Sequence, residues 1–255
     1  MRTVVIIPSR FASQRLPQKP LAIIHGRTLV ERVYLRCCQA EGIDEIYVAT
    51  DHPSIAREVE RFGGKVVMTT EDCASGTDRV AQAAEQIGVV DAVIINVQGD
   101  EPLIDPSVIT LLASTMRENP EIQVSTPVTP LKLPEELTDP NIVKVVINES
   151  GNALYFSRQA IPYIRDAGAK EIYTWLDTHP YFKHIGVYAY RQQVLERFVS
   201  MKESPLERAE RLEQLRLLEA GIPIRCVQVE YESVAVDTKD DIRKVELLIE
   251  ERGLG

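Results

Sequence analysis

Short runs of aliphatic and β-branched residues recur along this chain with helical patterns between them, and that alternation constrains the fold more than any other feature. Val4-Val5-Ile6-Ile7 is the first run, and Glu45 to Ala49, Lys65 to Met68 and Ala92 to Val97 follow. Between them, Leu29, Val33 and Cys37 recur at helical spacing behind Thr28, Ser54 to Phe62 reads as a helix stopped by Gly63-Gly64, and a third helix runs from about Asp78 to Gln86. Repeated strand and helix units of this kind predict right-handed crossovers and a mostly parallel sheet flanked by helices. Ala92 to Val97 is the most hydrophobic run, apolar on both faces, and belongs at the centre.

The second half is less regular. A helix is expected over Pro106 to Asn119 and a strand over Gln123 to Val128, and the Pro, Glu and Lys of Pro130 to Pro140 suggest an exposed connection. Val143 to Ile147 and Ala153 to Phe156 stand in hairpin spacing around Asn148-Glu149-Ser150-Gly151. The weakly periodic stretch that follows is expected to form an arm or lid at about 158–183 inserted in a single domain spanning 1–255. Lys183 to Tyr190 returns to a strand pattern. Ser204-Pro205-Leu206-Glu207 is a capping box that opens a long helix to Glu219, and the strand Ile224 to Val229 precedes a closing helix from Thr238 to Arg252.

Composition narrows the function. A net charge of −9 argues against a nucleic-acid surface, and 44% hydrophobic with 26% charged residues is ordinary for a soluble globular protein. No apolar run approaches the roughly 20 residues of a membrane span, and the chain opens on a strand without a signal peptide, so a cytoplasmic protein is expected. Cys37, Cys38, Cys73 and Cys226 have no C-x-x-C spacing and read as reduced thiols.

Within this acidic chain the loop after the first strand, Pro8-Ser9-Arg10 to Lys19-Pro20, gathers three cations and hardly any carboxylate. Arginine offers a planar fork to phosphate oxygens and lysine a mobile point charge, so Arg10, Arg15 and Lys19 suit a triphosphate. Ligands of open α/β sheets bind beyond the carboxyl ends of the strands, where this loop stands. Neither a dinucleotide fingerprint nor a GxxxxGK[ST] loop is present, so side chains must hold the phosphates. Asp100, at the tip of the central run, is placed either to hold Mg²⁺ against phosphate oxygens or as a turn residue before Pro102. Ser75-Gly76-Thr77 reads either as a helix N-cap or as a base-reading segment, and Asp237 alone reads as an N-cap. His184, Gly186 and Tyr188 share one strand face, and Glu213 and Gln214 interrupt an apolar helix pattern where a solvated face is the simpler reading.

These stretches together resemble a family. Pro8-Ser9-Arg10, Arg15-Leu16-Pro17 and Lys19-Pro20-Leu21 look like the signature loop of the sugar cytidylyltransferases, specifically the 3-deoxy-manno-octulosonate (Kdo) cytidylyltransferases. Ala49-Thr50-Asp51, Ser75-Gly76-Thr77-Asp78-Arg79, Asn96-Val97-Gln98-Gly99-Asp100-Glu101-Pro102, Ala153-Leu154-Tyr155-Phe156-Ser157-Arg158 and Leu212-Glu213-Gln214-Leu215-Arg216 resemble the same family in the same order, over nearly the whole chain. The resemblance implies a Rossmann-like mixed sheet of the nucleotide-diphospho-sugar transferase type, a dimerisation arm and a homodimer. It implies transfer of CMP from CTP to Kdo, a step of lipopolysaccharide synthesis, with Arg10, Arg15, Lys19, Asp100 and Asp237 catalytic. By the same resemblance, Pro8, Ser9, Arg10, Lys19, Ser75, Gly76 and Arg79 bind the nucleotide. Gln98, Arg158, Arg165, His184, Tyr188, Glu213 and Gln214 bind the sugar, and Asp100 and Asp237 hold Mg²⁺. Two other readings stand beside it: activation of a related acidic sugar, 8-amino-Kdo or sialic acid, and a non-catalytic nucleotide-binding subunit.

Overall fold

The computed structural model describes residues 1–13, 15–167 and 169–254. Gln14 of the expected cationic loop and residue 168 of the expected arm lie outside the described residues.

In chain order the first half comprises β1 (Arg2–Ser9), the two-residue strands β2 (Ile23–Ile24) and β3 (Arg27–Thr28), α1 (Leu29–Cys37), β4 (Glu45–Thr50), α2 (Pro53–Arg61), β5 (Lys65–Met68), α3 (Gly76–Ile87), β6 (Ala92–Asn96) and α4 (Pro106–Glu118). The second half adds β7 (Val124–Pro130), α5 (Glu135–Thr138), β8 (Lys144–Ile147), β9 (Ala153–Ser157), α6 (Trp175–Thr178), β10 (Phe182–His184), β11 (Tyr188–Arg191), α7 (Gln192–Ser200), α8 (Pro205–Glu210), α9 (Gln214–Glu219), β12 (Ile224–Gln228) and α10 (Lys239–Arg252). One sheet runs β5-β4-β1-β6-β11-β7-β10-β8-β9, with β12 added on β7. Only β9, β10 and β11 run against the common direction, so the sheet is mixed and mostly parallel.

Its centre follows from side-chain alternation. Val5 and Ile7 of β1 and Val93 and Ile95 of β6 face a core shared with α1, α2, α4 and α10, whereas Val4, Ile6 and Ile94 face a second core under α3, α7 and α9. Both strands are therefore closed from water on both faces, as expected for central parallel strands. A small third cluster joins Leu131, Leu137, Trp175 and Tyr181.

Three sequence expectations are corrected. The stretch Pro130 to Pro140 is not simply exposed: it contains α5, buries Leu131 and Leu137, and pairs Glu136 with Lys183. The expected strand Lys183 to Tyr190 is broken, because β10 pairs His184 with Val128 while β11 pairs Ala189 with Ser125, five residues against three. The surplus bulges at 185–187 and lets β11 reach β6 as well as β7. The long helix ending at Glu219 is two helices, with Arg211 left-handed at φ 55° between them. Arg158 supplies the reason: its guanidinium donates to the carbonyls of Glu210 (2.8 Å) and Arg211 (3.4 Å), which a continuing helix would use itself. Arg216 of α9 then grips Glu207 of α8 with both arms of its fork, at 2.7 and 2.5 Å, and fixes the corner.

Parallel pairing of β1 with β4 and β6 brings the strand tips together. A Cβ on Gly99 would lie 2.6 Å from the Pro8 carbonyl oxygen, so only glycine allows the loop after β6 to pack on the end of β1. Gly99→Ala is therefore expected to destabilise the fold by about 2 kcal/mol, lowering Tm by about 5 °C. Thermal unfolding followed by circular dichroism checks this, and an unchanged Tm would refute the close-approach account.

Candidate active site

The loops beyond the carboxyl ends of β1 and β6, the start of α3, Glu213 and Asp237 enclose a cleft of about 980 Å³. Arg10, Arg15 and Lys19 line it, as do Pro8, Ser9, Ser75, Gly76, Arg79, Gln98, Asp100, Glu213 and Asp237. Every expected catalytic and nucleotide-binding position is thus brought to one cavity, with two of the seven expected sugar positions.

Lys19 is the meeting point. A 3₁₀ turn, Lys19–Leu21, begins behind a left-handed Gln18, and Pro20 within it is buried. The Lys19 ammonium then stands 2.7 Å from Asp100 Oδ2 and 3.0 Å from Asp237 Oδ1. Arg15 reaches Asp237 Oδ2 at 2.9 Å from a largely exposed position. Two carboxylates separated by more than a hundred residues thereby share one cation. Asp237 is not the N-cap that the sequence alone suggested: Thr238 caps α10 in a capping box with Asp241, which leaves the Asp237 carboxylate to the cleft.

Asp237 is carried by an irregular segment fastened beneath Asp100. Glu101 is buried and accepts hydrogen bonds from Tyr231 (3.0 Å) and Ser233, while Val236 N–H donates to the Asp100 carbonyl at 2.9 Å. Burial pushes the Glu101 carboxyl up, the Ser233 hydrogen bond opposes this, and the neighbouring Asp100 adds to it. Sequence reading passed over Glu101, and its only signal was an acid beside Asp100 in the Gln98 to Pro102 segment.

The Ser75 hydroxyl caps α3 by accepting from Asp78 N–H, as one of its two expected readings had it, and the residue also lines the cleft. A Cβ on Gly76 would meet Pro8 Cγ at 3.5 Å and Gln98 Oε1 at 3.8 Å, ordinary contacts, so the protein itself tolerates a side chain there. Arg79 lines the cleft, but its guanidinium is taken by Asp51 (2.8 Å) and Thr69 (2.5 Å). Asp51 in turn accepts from Phe11 N–H at 3.0 Å, and the Phe11 ring stacks on His52 at 3.6 Å. Arg79 thus fixes the start of the cationic loop through Asp51.

The remaining sugar positions lie outside the cleft lining. His184 and Tyr188 adjoin, ring centroids 5.2 Å apart, and Gly186 between them abuts Gln98, whose Cγ lies 3.8 Å from where a Cβ would stand. Burial pushes the His184 imidazole down to about 3, so it is neutral. Thr126 has a single hydroxyl proton and a carbonyl acceptor, Val187, at 2.8 Å, so His184 Nε2, 3.0 Å from the same oxygen, is assigned as donor and Nδ1 as acceptor. Burial likewise raises the Tyr188 hydroxyl, which stays protonated, and among the described residues neither it nor the Gln214 amide nitrogen has a protein partner. Arg158 donates to the Pro140 carbonyl as well as to the corner at Glu210, and Arg165 is exposed in a turn.

The arrangement offers cations and carboxylates at one point, a glycine-faced slot and a set of buried neutral polar groups. All four cysteines are free, and among the described residues no helix is long and apolar enough to cross a membrane.

Comparison with known proteins gives the same direction. Residues 4–229 match the family described as Cytidylyltransferase. The 3-deoxy-manno-octulosonate cytidylyltransferase of Myxococcus xanthus is 48% identical over 99% of this chain and 98% of its own length. An 8-amino-3,8-dideoxy-manno-octulosonate cytidylyltransferase of Shewanella pealeana is 44% identical, covering 95% of this chain and 96% of its own. Among solved structures, a CMP:2-keto-3-deoxy-manno-octonic acid synthetase complexed with CTP superposes with a TM-score of 0.91 at 41% identity, covering 99% of this chain and 100% of the other. With most of its length matched by that family and near-complete relatives above 40% identity, the chain belongs to the cytidylyltransferases, in the branch of the 3-deoxy-manno-octulosonate enzymes.

Proposed function

We propose that this enzyme transfers CMP from CTP to the anomeric hydroxyl of Kdo, forming CMP-Kdo and releasing pyrophosphate. The observation that carries the reading is the convergence of Lys19, Asp100 and Asp237 in the same cleft that Pro8, Ser75 and Gly76 line. An alcohol must reach a crowded, anionic phosphorus, so alignment and neutralisation of charge make up most of the catalysis. Arg10, Arg15 and Lys19 hold the triphosphate, with Lys19 and Arg15 beside the α-phosphate. Ser75 and Gly76 meet the cytosine, and Arg79 and Asp51 keep the loop of Arg10 in place.

The acceptor sugar faces Gln98 and Glu213, with Tyr188, His184 and Gln214 behind them. The Tyr188 hydroxyl and Gln214 amide nitrogen, without partners among the described residues, offer hydrogen bonds to sugar hydroxyls, and His184 adjoins Tyr188. Arg158 meets the sugar carboxylate through Nη2, which among the described residues makes only the long hydrogen bond to the Arg211 carbonyl.

Asp100 and Asp237 fit Mg²⁺. Two carboxylates reach one point, and among the described residues no third acid, histidine or cysteine joins them, which suits an ion that keeps waters and takes substrate phosphate oxygens. When bound, Mg²⁺ supplies positive charge against the phosphates and lowers the pKa of a nearby hydroxyl. No side chain of the cleft is assigned as general base. The same reading includes a cytoplasmic homodimer joined through the segment 158–183, on which Tyr163 and Tyr173 are exposed.

A second acceptor is favoured by the similarity to the 8-amino enzyme, since an amino group in place of one hydroxyl asks for a small change of pocket. Pyrophosphate release from CTP, measured against Kdo, 8-amino-Kdo and sialic acid, tests the assignment. Kdo is expected to be used best, and a clear preference for either of the others would replace it.

Asp100→Ala is expected to lower kcat by on the order of 100-fold while Tm stays within a few degrees. Near-normal turnover in Mg²⁺ would defeat the metal role. Because the protein leaves room for a Cβ at Gly76, Gly76→Ala should fold normally yet raise KM for CTP by about tenfold or more, and CTP should outrun ATP and GTP in the unaltered enzyme. Equal rates with the three nucleotides would sink the base-reading segment.

A further inference from the structure

Thr77 has no place in the cleft lining, yet it makes one of the longest-range polar contacts around the site. Its hydroxyl donates to Glu213 Oε2 at 2.8 Å across 136 residues of sequence. A carboxylate only accepts, so the direction of this bond is fixed, and a bond to an ionised group is among the stronger ones a neutral donor makes. Thr77 is buried in the first turn of α3, directly after Ser75 and Gly76. As a β-branched side chain in a helix it is confined to two main rotamers, and its burial and the bond to Glu213 select one. Glu213, by contrast, precedes a helix of only six residues beyond the left-handed corner at Arg211, and it makes no capping bond of its own. Among the described residues Thr77 is the side chain that hydrogen-bonds the Glu213 carboxylate, Arg216 adds only a longer-range attraction, and Glu213 lines the cleft, so Thr77 sets its direction.

We infer that Thr77 is a positioning residue for the acceptor sugar, aiming the Glu213 carboxylate into the cleft from the same helix turn whose preceding residues meet the nucleotide. The inference rests on the proposed reading of the cleft as a CTP and sugar-acid site. It divides the Ser75-Gly76-Thr77 segment into two roles: Ser75 and Gly76 look into the cleft, and Thr77 crosses behind it to the sugar side. Nucleotide contact with the first two residues thereby steadies the group that receives the second substrate, without any direct contact between Thr77 and either ligand.

The test is steady-state pyrophosphate release by the full-length enzyme carrying Thr77→Val, Thr77→Ser or Thr77→Ala, alone and with Glu213→Gln. Thr77→Val keeps the shape and removes the donor. It is expected to raise KM for Kdo about tenfold, the equivalent of one hydrogen bond to a charged group, with KM for CTP changed less than about twofold. Thr77→Ser should restore the unaltered KM for Kdo. In the Glu213→Gln background, Thr77→Val should shift the sugar KM by only about threefold, because the amide oxygen that replaces the carboxylate is an uncharged and weaker acceptor.

An unchanged sugar KM in Thr77→Val, a Thr77→Ser enzyme as impaired as the valine variant, or an equal rise of both KM values would overturn the inference. So would failure of both Thr77→Val and Thr77→Ala to fold, which would make Thr77 a residue of stability alone. If the unaltered enzyme releases no pyrophosphate from CTP and Kdo, the proposed function falls and takes this inference with it. If the unaltered enzyme is active and indifferent to Thr77→Val, only the inference falls.

Discussion

Parallel pairing of β1 with its two neighbours is the constraint on which the site depends. With β4 on one side and β6 on the other, all three strands end at the same edge of the sheet. Each strand is closed from water by helices on both faces in its inner part, so the residues at and just beyond its carboxyl end stand at that edge. Pro8-Ser9-Arg10, Thr50-Asp51 and Gln98-Gly99-Asp100 are these residues. The apolar interior therefore sets where the charges stand, and Gly99 sets how closely two of the loops approach.

That constraint explains what was legible in the sequence. The strands from Val4 to Ala92, the helix caps at Thr28 and Ser75 and the tip position of Asp100 are written in local periodicity and local cap chemistry, and the structure places them within a residue or two of expectation. The strand expected over Lys183 to Tyr190 and the helix expected to Glu219 were misread because their breaks come from distant partners. A pattern of alternating residues does not reveal that β11 must serve β6 and β7 together, and a capping box does not reveal that Arg158 will take the carbonyls of Glu210 and Arg211.

The same distinction runs through the site. Arginine and lysine in a loop announce an anion, and the loop does reach the cleft. The residue types alone do not separate a cation that faces the cavity from one that holds the cavity's wall. Lys19 and Arg15 meet carboxylates at the cleft, whereas Arg79 is buried against Asp51 and Thr69, and most of the Arg158 guanidinium is turned to backbone carbonyls. Glu101 is the acidic counterpart: beside Asp100 in sequence, it points into the protein and fastens the segment that delivers Asp237.

Charge balance links these details to the chemistry proposed for the cleft. Lys19 and Arg15 are two positive groups against the two negative groups Asp100 and Asp237, so the quartet is neutral before any ligand arrives and the two acids can approach one another without strong repulsion. On the proposed reading, a triphosphate with Mg²⁺ would offer the same two signs in new positions, with phosphates for the cations and a divalent ion for the carboxylates. Exchange of partners, rather than creation of an unpaired charge, lets a half-buried site of this composition pass from its free to its loaded arrangement without leaving a desolvated charge unpaired.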